Sequence, residues 1–268
     1  MNFDDKSIGK DSIDNFFDKL ENEQLEEIKE IITQLKNTRE EVIKTNKEIL
    51  KSDPDNIDAR LNLAEATAKN LIDKKKKIEK IISRELSKLK KEGYEDDSCI
   101  GDYYLIYETR PYILAKKEYL DTLLSLRMMK KAAAEAEDII RLNDGDNLGI
   151  RYNLAFIYAF LEEEEKLLQH IKKYDEESVE FYLALSMLYF RLDNMRRATD
   201  NLKKAQSVNK FTKKFIIQVI DEDVYVDFSN PFYEYNSLEH LNFMYVDNDY
   251  IFKDMLEYPL WADSKLNG

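Results

Sequence analysis

Apolar residues recur at helical spacing along most of the chain. Leu25, Ile28, Ile31, Ile32 and Leu35 repeat every three or four positions, and Val42, Ile43, Ile49 and Leu50 follow. That spacing predicts a helical hairpin near the N-terminus, with residues 1–11 frayed. Ser52-Asp53-Pro54-Asp55-Asn56 then ends one helix and caps the next. The following pair of helices begins at Ile57, and its second member covers Ile72 to Lys91. A loop from Glu92 to Asp102, punctuated by Gly93 and Gly101, leads into further helix pairs up to about Thr212. Past Phe211 the period fades. Phe215, Ile216, Val219 and Ile220 suit one more helix, Val224-Tyr225-Val226 has strand-like composition, and Ser229-Asn230-Pro231 is a turn. Two short helices, Ser237 to Tyr245 and Asp249 to Glu257, are expected to close the chain. The predicted organisation is N-terminal helical hairpins over 12–95, repeats over 103–212, and a capping segment over 213–268.

The helix pairs share a frame. With Val179 at position 1 of a 34-residue helix-turn-helix unit, Tyr182, Leu185, Tyr189 and Leu202 take the large positions 4, 7, 11 and 24. Ser186, Ala198 and Ala205 take the small positions 8, 20 and 27, where two helices approach closely only if side chains are short. This resembles the tetratricopeptide (TPR) signature. Frames starting at Leu148 (Leu154, Ala155, Tyr158) and Ile113 (Tyr119, Ala132, Ile139) repeat the pattern at spacings of 31 and 35. Counting from Ile57 places Leu63 and Ala64 likewise.

Two blocks carry a narrower likeness. Glu108-Thr109-Arg110-Pro111-Tyr112 is followed by Leu142-Asn143-Asp144-Gly145-Asp146-Asn147-Leu148-Gly149-Ile150-Arg151-Tyr152. Together they resemble a group of bacterial TPR proteins with E-T-R-P-Y and L-N-x-x-D-N-x-G-x-R-Y blocks, which tend to end in a serine-initiated helix with a late tryptophan. Ser237 and Trp261 resemble that ending. The likeness covers roughly 103–261, and Gly145 stands where the group usually has proline. It implies an all-α, right-handed TPR-like α-solenoid of about five helix-turn-helix units with helical caps, and supplies no active site.

Composition narrows the class further. Six Gly and four Pro in 268 residues are too few for the turns of sandwiches or doubly wound folds. The net charge of −13 argues against nucleic acid as a partner. Charge is also unevenly placed. Lys74 to Lys91 holds nine basic residues against Glu79 and Glu85, while 219–268 is strongly acidic. Ile78, Ile81, Ile82, Leu86 and Leu89 commit one face of the basic helix to a core, so a solvated basic face is the simpler reading. A lone cysteine, Cys99, excludes an intramolecular disulfide. With no apolar run near 18 residues and no leader-like start, a cytoplasmic protein that does not enter the membrane is expected.

Candidate chemistry is sparse. His170 and His240 have no second ligand at zinc spacing, and no nucleotide-binding or nucleophile motif appears, so neither metal, cofactor nor catalytic residue is expected. The acidic run Glu162 to Glu165 suits the start of a helix. Glu108, Arg110, Asp146 and Arg151 lie beside the turns of adjacent units and are expected to form an inter-repeat network, since a guanidinium binds carboxylate and carbonyl together. In TPR-like geometry the concave groove falls to Tyr152, Phe156 and Phe160 in one unit, and to Leu183, Met187, Phe190 and Arg191 in the next. Such an apolar patch takes a ligand or is covered by the chain itself. Phe232, Tyr233, Phe243, Tyr245 and Trp261 of the C-terminal segment are the expected cover. The functional expectation is a non-catalytic interaction scaffold holding a partner's peptide or helix in the groove. The alternative is a regulator responding to a small ligand or peptide; an enzyme with a carboxylate or arginine site is a third class.

Overall fold

The computed structural model describes residues 34–94, 99–229 and 232–267, which form an all-α fold of twelve helices. The expected fraying of 1–11, the apolar stripe up to Ile32 and the turn at Asn230-Pro231 lie outside the described residues. The chain divides into two compact units, Met1–Ala68 and Lys69–Gly268. The helices read as one pair from Ile57 therefore belong to different units.

In the first unit, helix α1 covers 34–52 and α2 covers Ile57–Thr67. The turn between them is made by side chains, as its composition predicts. Asn56 caps α2 by accepting from the Ala59 amide at 2.9 Å, and its own amide group donates to Asp53 Oδ2 at 3.1 Å. Arg39 of α1 satisfies the far end of α2, donating to Ala66 O at 2.6 Å and Ala68 O at 3.2 Å.

The second unit opens with α3 (Leu71–Glu92), capped by Asn70 and closed by Gly93 in the left-handed region at φ +82°. Part of its basic face folds onto the next helix, with Lys74 on Glu118 at 2.8 Å and Tyr119 donating to Glu79 at 2.8 Å. Three helical hairpins follow: α4 (Arg110–Ser125) with α5 (Met129–Leu142), α6 (Ile150–Phe160) with α7 (Glu164–Tyr174), and α8 (Val179–Arg191) with α9 (Met195–Val208). Then come α10 (Thr212–Ile220), α11 (Leu238–Asp254) and α12 (Glu257–Leu266). Val224-Tyr225-Val226, read as strand-like, lie in an irregular stretch: Val and Tyr suit an extended backbone, but no neighbouring strand pairs with them among the described residues.

The hairpins close by the same turn, which is direct structural evidence of repetition. Arg127, Glu162 and Asp193 each take φ between +55° and +60°. The next amide reaches back five residues: Met128 to Leu123 O, Glu163 to Tyr158 O and Asn194 to Tyr189 O, at 2.9, 3.0 and 2.8 Å. These are Schellman closures, spaced by 35 and 31 residues, as the sequence frames are. Helix α10 ends the same way, with Glu222 at φ +55° and Asp223 N on Gln218 O at 2.9 Å. It has the ending of a repeat's first helix, but an irregular segment follows instead of a second helix.

A non-glycine residue in the left-handed region costs about 1–2 kcal/mol, of which glycine recovers part after its own larger unfolded-state entropy is subtracted. Asp193 is exposed and makes no side-chain hydrogen bond in the turn. Asp193→Gly should therefore raise Tm by roughly 1–4 °C, from about 0.5–1 kcal/mol. A variant melting below wild type would show that the turn is not strained.

Small residues sit where the frame puts them. Ser186, Ala198, Ala205 and Ala155 have no exposed surface, and Ser186 Oγ donates to Ala198 O at 2.9 Å across the α8–α9 crossing. The E-T-R-P-Y block is explained locally. Thr109 is buried and donates to Tyr103 O at 2.6 Å, Arg110 donates to Tyr104 O at 2.8 Å, Pro111 starts α4, and Tyr112 packs edge-on to Tyr103. The preceding loop is clamped to the α5–α6 turn at Gly101. A Cβ there would lie 2.9 Å from Asp144 Oδ2, and the left-handed φ of +102° also favours glycine.

Helix α11 packs on α4, α6 and α10, and α12 packs on α9 and α10. The two expected C-terminal helices, Ser237 to Tyr245 and Asp249 to Glu257, run together as α11, interrupted only by a kink at Asn248 (φ −134°), and α12 from Glu257 is a further helix that was not expected. Asn248 Nδ2 donates to Met244 O at 3.0 Å, satisfying a carbonyl that the kink frees.

Candidate functional site

The residues expected to line the groove are largely covered by α11 and α12. Phe156, Leu183 and Met187 have no exposed surface. Phe156 faces Phe252 with ring centroids 6.4 Å apart, Phe160 meets Tyr250 at 5.8 Å, and Phe190 meets Tyr258 and Trp261 at 5.4 and 5.1 Å. Tyr258 donates to Ser186 Oγ at 2.9 Å, and Arg191 pairs with Asp254 at 2.7 Å and Glu162 at 3.2 Å. Of the five aromatics expected to form the cover, Trp261 reaches these rings and Tyr245 packs on Phe215 and Phe252. Phe232 is 87% exposed, and Phe243 stacks on Tyr233 instead. The physical reason is backbone regularity. Helices α11 and α12 hold their rings on continuous faces, whereas the irregular segment carrying Phe232 presents none.

At the α6 end this cover is incomplete, and a cavity of about 390 Å³ remains between α6, the start of α8, α11 and the segment before it. A larger cleft, about 510 Å³, lies along α10, α11 and α12, but its walls are mainly Ile220, Phe252, Leu256 and Leu260. The smaller cavity is where polar groups converge.

Its first wall is built by the D-N-x-G-x-R-Y block. Asp146, 4% exposed, accepts from the Ile150 and Arg151 amides at 2.8 and 3.1 Å, and so caps the first turn of α6. The Arg151 guanidinium then makes three hydrogen bonds, to Asp146 at 2.8 Å, Glu176 at 2.9 Å and the Tyr152 hydroxyl at 2.7 Å. It also lies 4.2 Å from the Tyr152 ring centroid. His170 supports α6 from behind, with Nε2 donating to Arg151 O at 2.8 Å, and burial holds its pKa below the usual value.

The second wall is a pair of helix starts facing each other. Ser178 caps α8 by accepting from Phe181 N, and Ser237 caps α11 by accepting from His240 N, both at 3.1 Å. The first turns bring Glu180 and His240 together, 2% and 5% exposed, with Oε1 and Nε2 2.7 Å apart. His240 Nδ1 accepts from the Asn236 amide at 3.3 Å. With Nδ1 turned to the Asn236 amide, Nε2 is the nitrogen that faces Glu180. Tyr233 stacks on the imidazole at 5.4 Å and Tyr235 flanks it at 4.6 Å. With both ring nitrogens engaged, His240 is not placed to take a proton from a bound molecule.

Glu180 is left with an incomplete hydrogen-bond shell. Its Oε2 has no hydrogen-bond partner. The α8 dipole stabilises a first-turn carboxylate by about 0.3–1 kcal/mol, whereas burying an ion costs several kcal/mol. Its negative charge is felt around the cavity. The hydroxyls of Tyr152, Tyr233 and Tyr235 are all pushed up, first by burial and then by Glu180, so they stay protonated at neutral pH. Asn153 of α6 reaches Asn248 of the α11 kink at 3.4 Å and closes the far side.

The structure thus brings together Asp146, Arg151 and Tyr152 from the expected residues. Arg110 and Glu108 do not join them: Arg110 bonds the loop before α4, and Glu108 bonds Tyr94. Glu180, His240 and Tyr235, which were not among the expected residues, complete the cavity with Tyr233, which was expected as part of the cover. Glu180 directly follows Val179, the first position of its frame. Nothing in the residue type marks it as buried. Ser237 three residues before His240 signals a cap but not the partner across the cavity. Compared with family models, with curated proteins and with solved structures, the chain finds no match in any of the three.

Proposed function

We propose that the protein is a non-catalytic interaction module built on a right-handed TPR-like array. On this reading it holds a short segment of a protein partner at the mouth of a concave face that its own C-terminal helices otherwise fill. The TPR reading draws on the buried small residues at Ser186, Ala198 and Ala205 and on the repeated hairpin closures. The observation that carries the functional reading is the 390 Å³ cavity with a buried, incompletely bonded Glu180 in its wall. Its volume suits a few side chains rather than a whole helix. Engagement of both His240 nitrogens supports recognition over proton transfer.

A peptide library of short, end-blocked sequences, titrated against the full chain, tests this. A subset should bind, and Tyr235→Ala should weaken that subset about tenfold, as expected for an aromatic anchor at an interface. Tyr235 is 53% exposed, so the variant should melt as wild type does. Absence of binding, or binding indifferent to Tyr235, overturns the reading.

A ligand-responsive regulator is the second reading. It is favoured by the cavity's construction: Tyr152 and Glu180 come from the repeats, His240 and Tyr235 from the C-terminal segment. A small ligand bridging the two sides would stabilise the closed arrangement and raise Tm with concentration.

A further inference from the structure

The chemistry of the cavity also specifies what it takes. We infer that it binds an organic cation, a primary ammonium or a guanidinium on an alkyl stem, with its charge against Glu180 and its stem between aromatic rings. This rests on the reading of the cavity as the recognition site.

Charge balance points this way. Glu180 is 2% exposed, and its one partner is the His240 imidazole, whose Nδ1 accepts from the Asn236 amide. The guanidinium in the same wall, Arg151, is already committed to Asp146 and Glu176, two carboxylates for one cation. Asp247 also lines the cavity, where burial raises its pKa against the opposing pull of Lys117. Glu180 Oε2, buried and without a partner, is an acceptor and calls for a donor. An anionic or acceptor-rich ligand would meet uncompensated charge there.

The remaining wall favours an organic cation over a metal ion. Tyr152, Tyr233, Tyr235 and Phe243 line the same cavity. Aromatic faces attract ammonium and guanidinium groups and cover their alkyl stems. Among the described residues no three His, Cys, Asp or Glu side chains are grouped so as to hold a metal ion. A basic side chain of a partner protein and a free alkylamine share the recognised chemistry.

Calorimetric titration of the full chain separates these cases. The probes are an end-blocked tripeptide with central lysine, its arginine and glutamine counterparts, and n-butylammonium. The lysine or arginine peptide should bind about ten- to hundredfold tighter than the glutamine peptide, as expected when a charged hydrogen bond is gained. Glu180→Gln should erase that preference. If its melting curve shows misfolding, Tyr235→Phe, which keeps the ring, should retain cation binding, and Tyr235→Ala should weaken it. Binding of n-butylammonium without the peptides would leave the inference standing for a free amine and overturn the peptide reading. Equal binding of the glutamine peptide would overturn the inference and leave that reading intact. If no probe binds, both fall.

Discussion

Ending the chain after Asp221 should yield a protein that aggregates or strongly binds a hydrophobic dye. The truncation removes α11 and α12, which bury Leu241, Tyr250, Ile251, Phe252 and Tyr258. It also uncovers Phe156 and Phe215, which pack on Phe252 and have no exposed surface in the full chain. Each fully buried large apolar side chain contributes about 1.5–3 kcal/mol. Losing the cover of Phe156 and Phe215 therefore costs the remaining helices about 3–6 kcal/mol, a large share of the roughly 5–15 kcal/mol net stability of a domain. The two helices are therefore part of the core, and the array should not hold its native packing without them. The measurement is size-exclusion chromatography with dye fluorescence on the truncated chain. A soluble, monomeric, dye-silent product would show that the concave face closes on itself, and would remove the argument that the cavity is what the cover leaves open.

Ala198→Glu should destabilise the protein by about 4–5 kcal/mol, the upper range for a single substitution. Ala198 has no exposed surface, and its carbonyl accepts from Ser186 at the α8–α9 crossing. A glutamate there must push the helices apart and bury an unpaired charge, and the two costs add. Thermal denaturation should show a fall in Tm of roughly 8–20 °C. Lys203→Glu, on the exposed side of the same helix, should stay within about 0.5 kcal/mol of wild type. Equal melting of the two variants would mean that Ala198 is not at a close crossing.

These two expectations differ in how much of their basis is legible in the chain alone. The crossing at Ala198 is read from spacing: a short side chain twelve residues after Ser186 and seven before Ala205 can be placed without coordinates. The same holds for the Asn56 cap, the Pro111 start and the 35- and 31-residue offsets of the hairpin turns. What a residue does to its own helix, or to the helix just before it, depends on neighbours within one repeat, and local periodicity records those.

The cover and the cavity depend on faces far apart in sequence. The aromatic richness of the C-terminal segment says that it must be buried, yet not that Tyr250, Phe252 and Tyr258 would be buried while Phe232 stays in water. That choice follows from which rings a regular helix aligns against the concave face, and from the kink at Asn248 that redirects α11. The apparent pairing of the helices from Ile57 and Ile72 likewise gave no sign that a unit boundary falls between Ala68 and Lys69. Glu180 and His240 are sixty residues apart, and each has an ordinary local role in the first turn of a capped helix. Sequence alone determined the helices, their small-residue crossings and the repeat spacing, because hydrogen bonding and side-chain period act within a few turns. Only the tertiary structure decided what packs on α6 and α8 and which polar groups meet there, because close packing selects among distant surfaces by shape, and no local pattern encodes that fit.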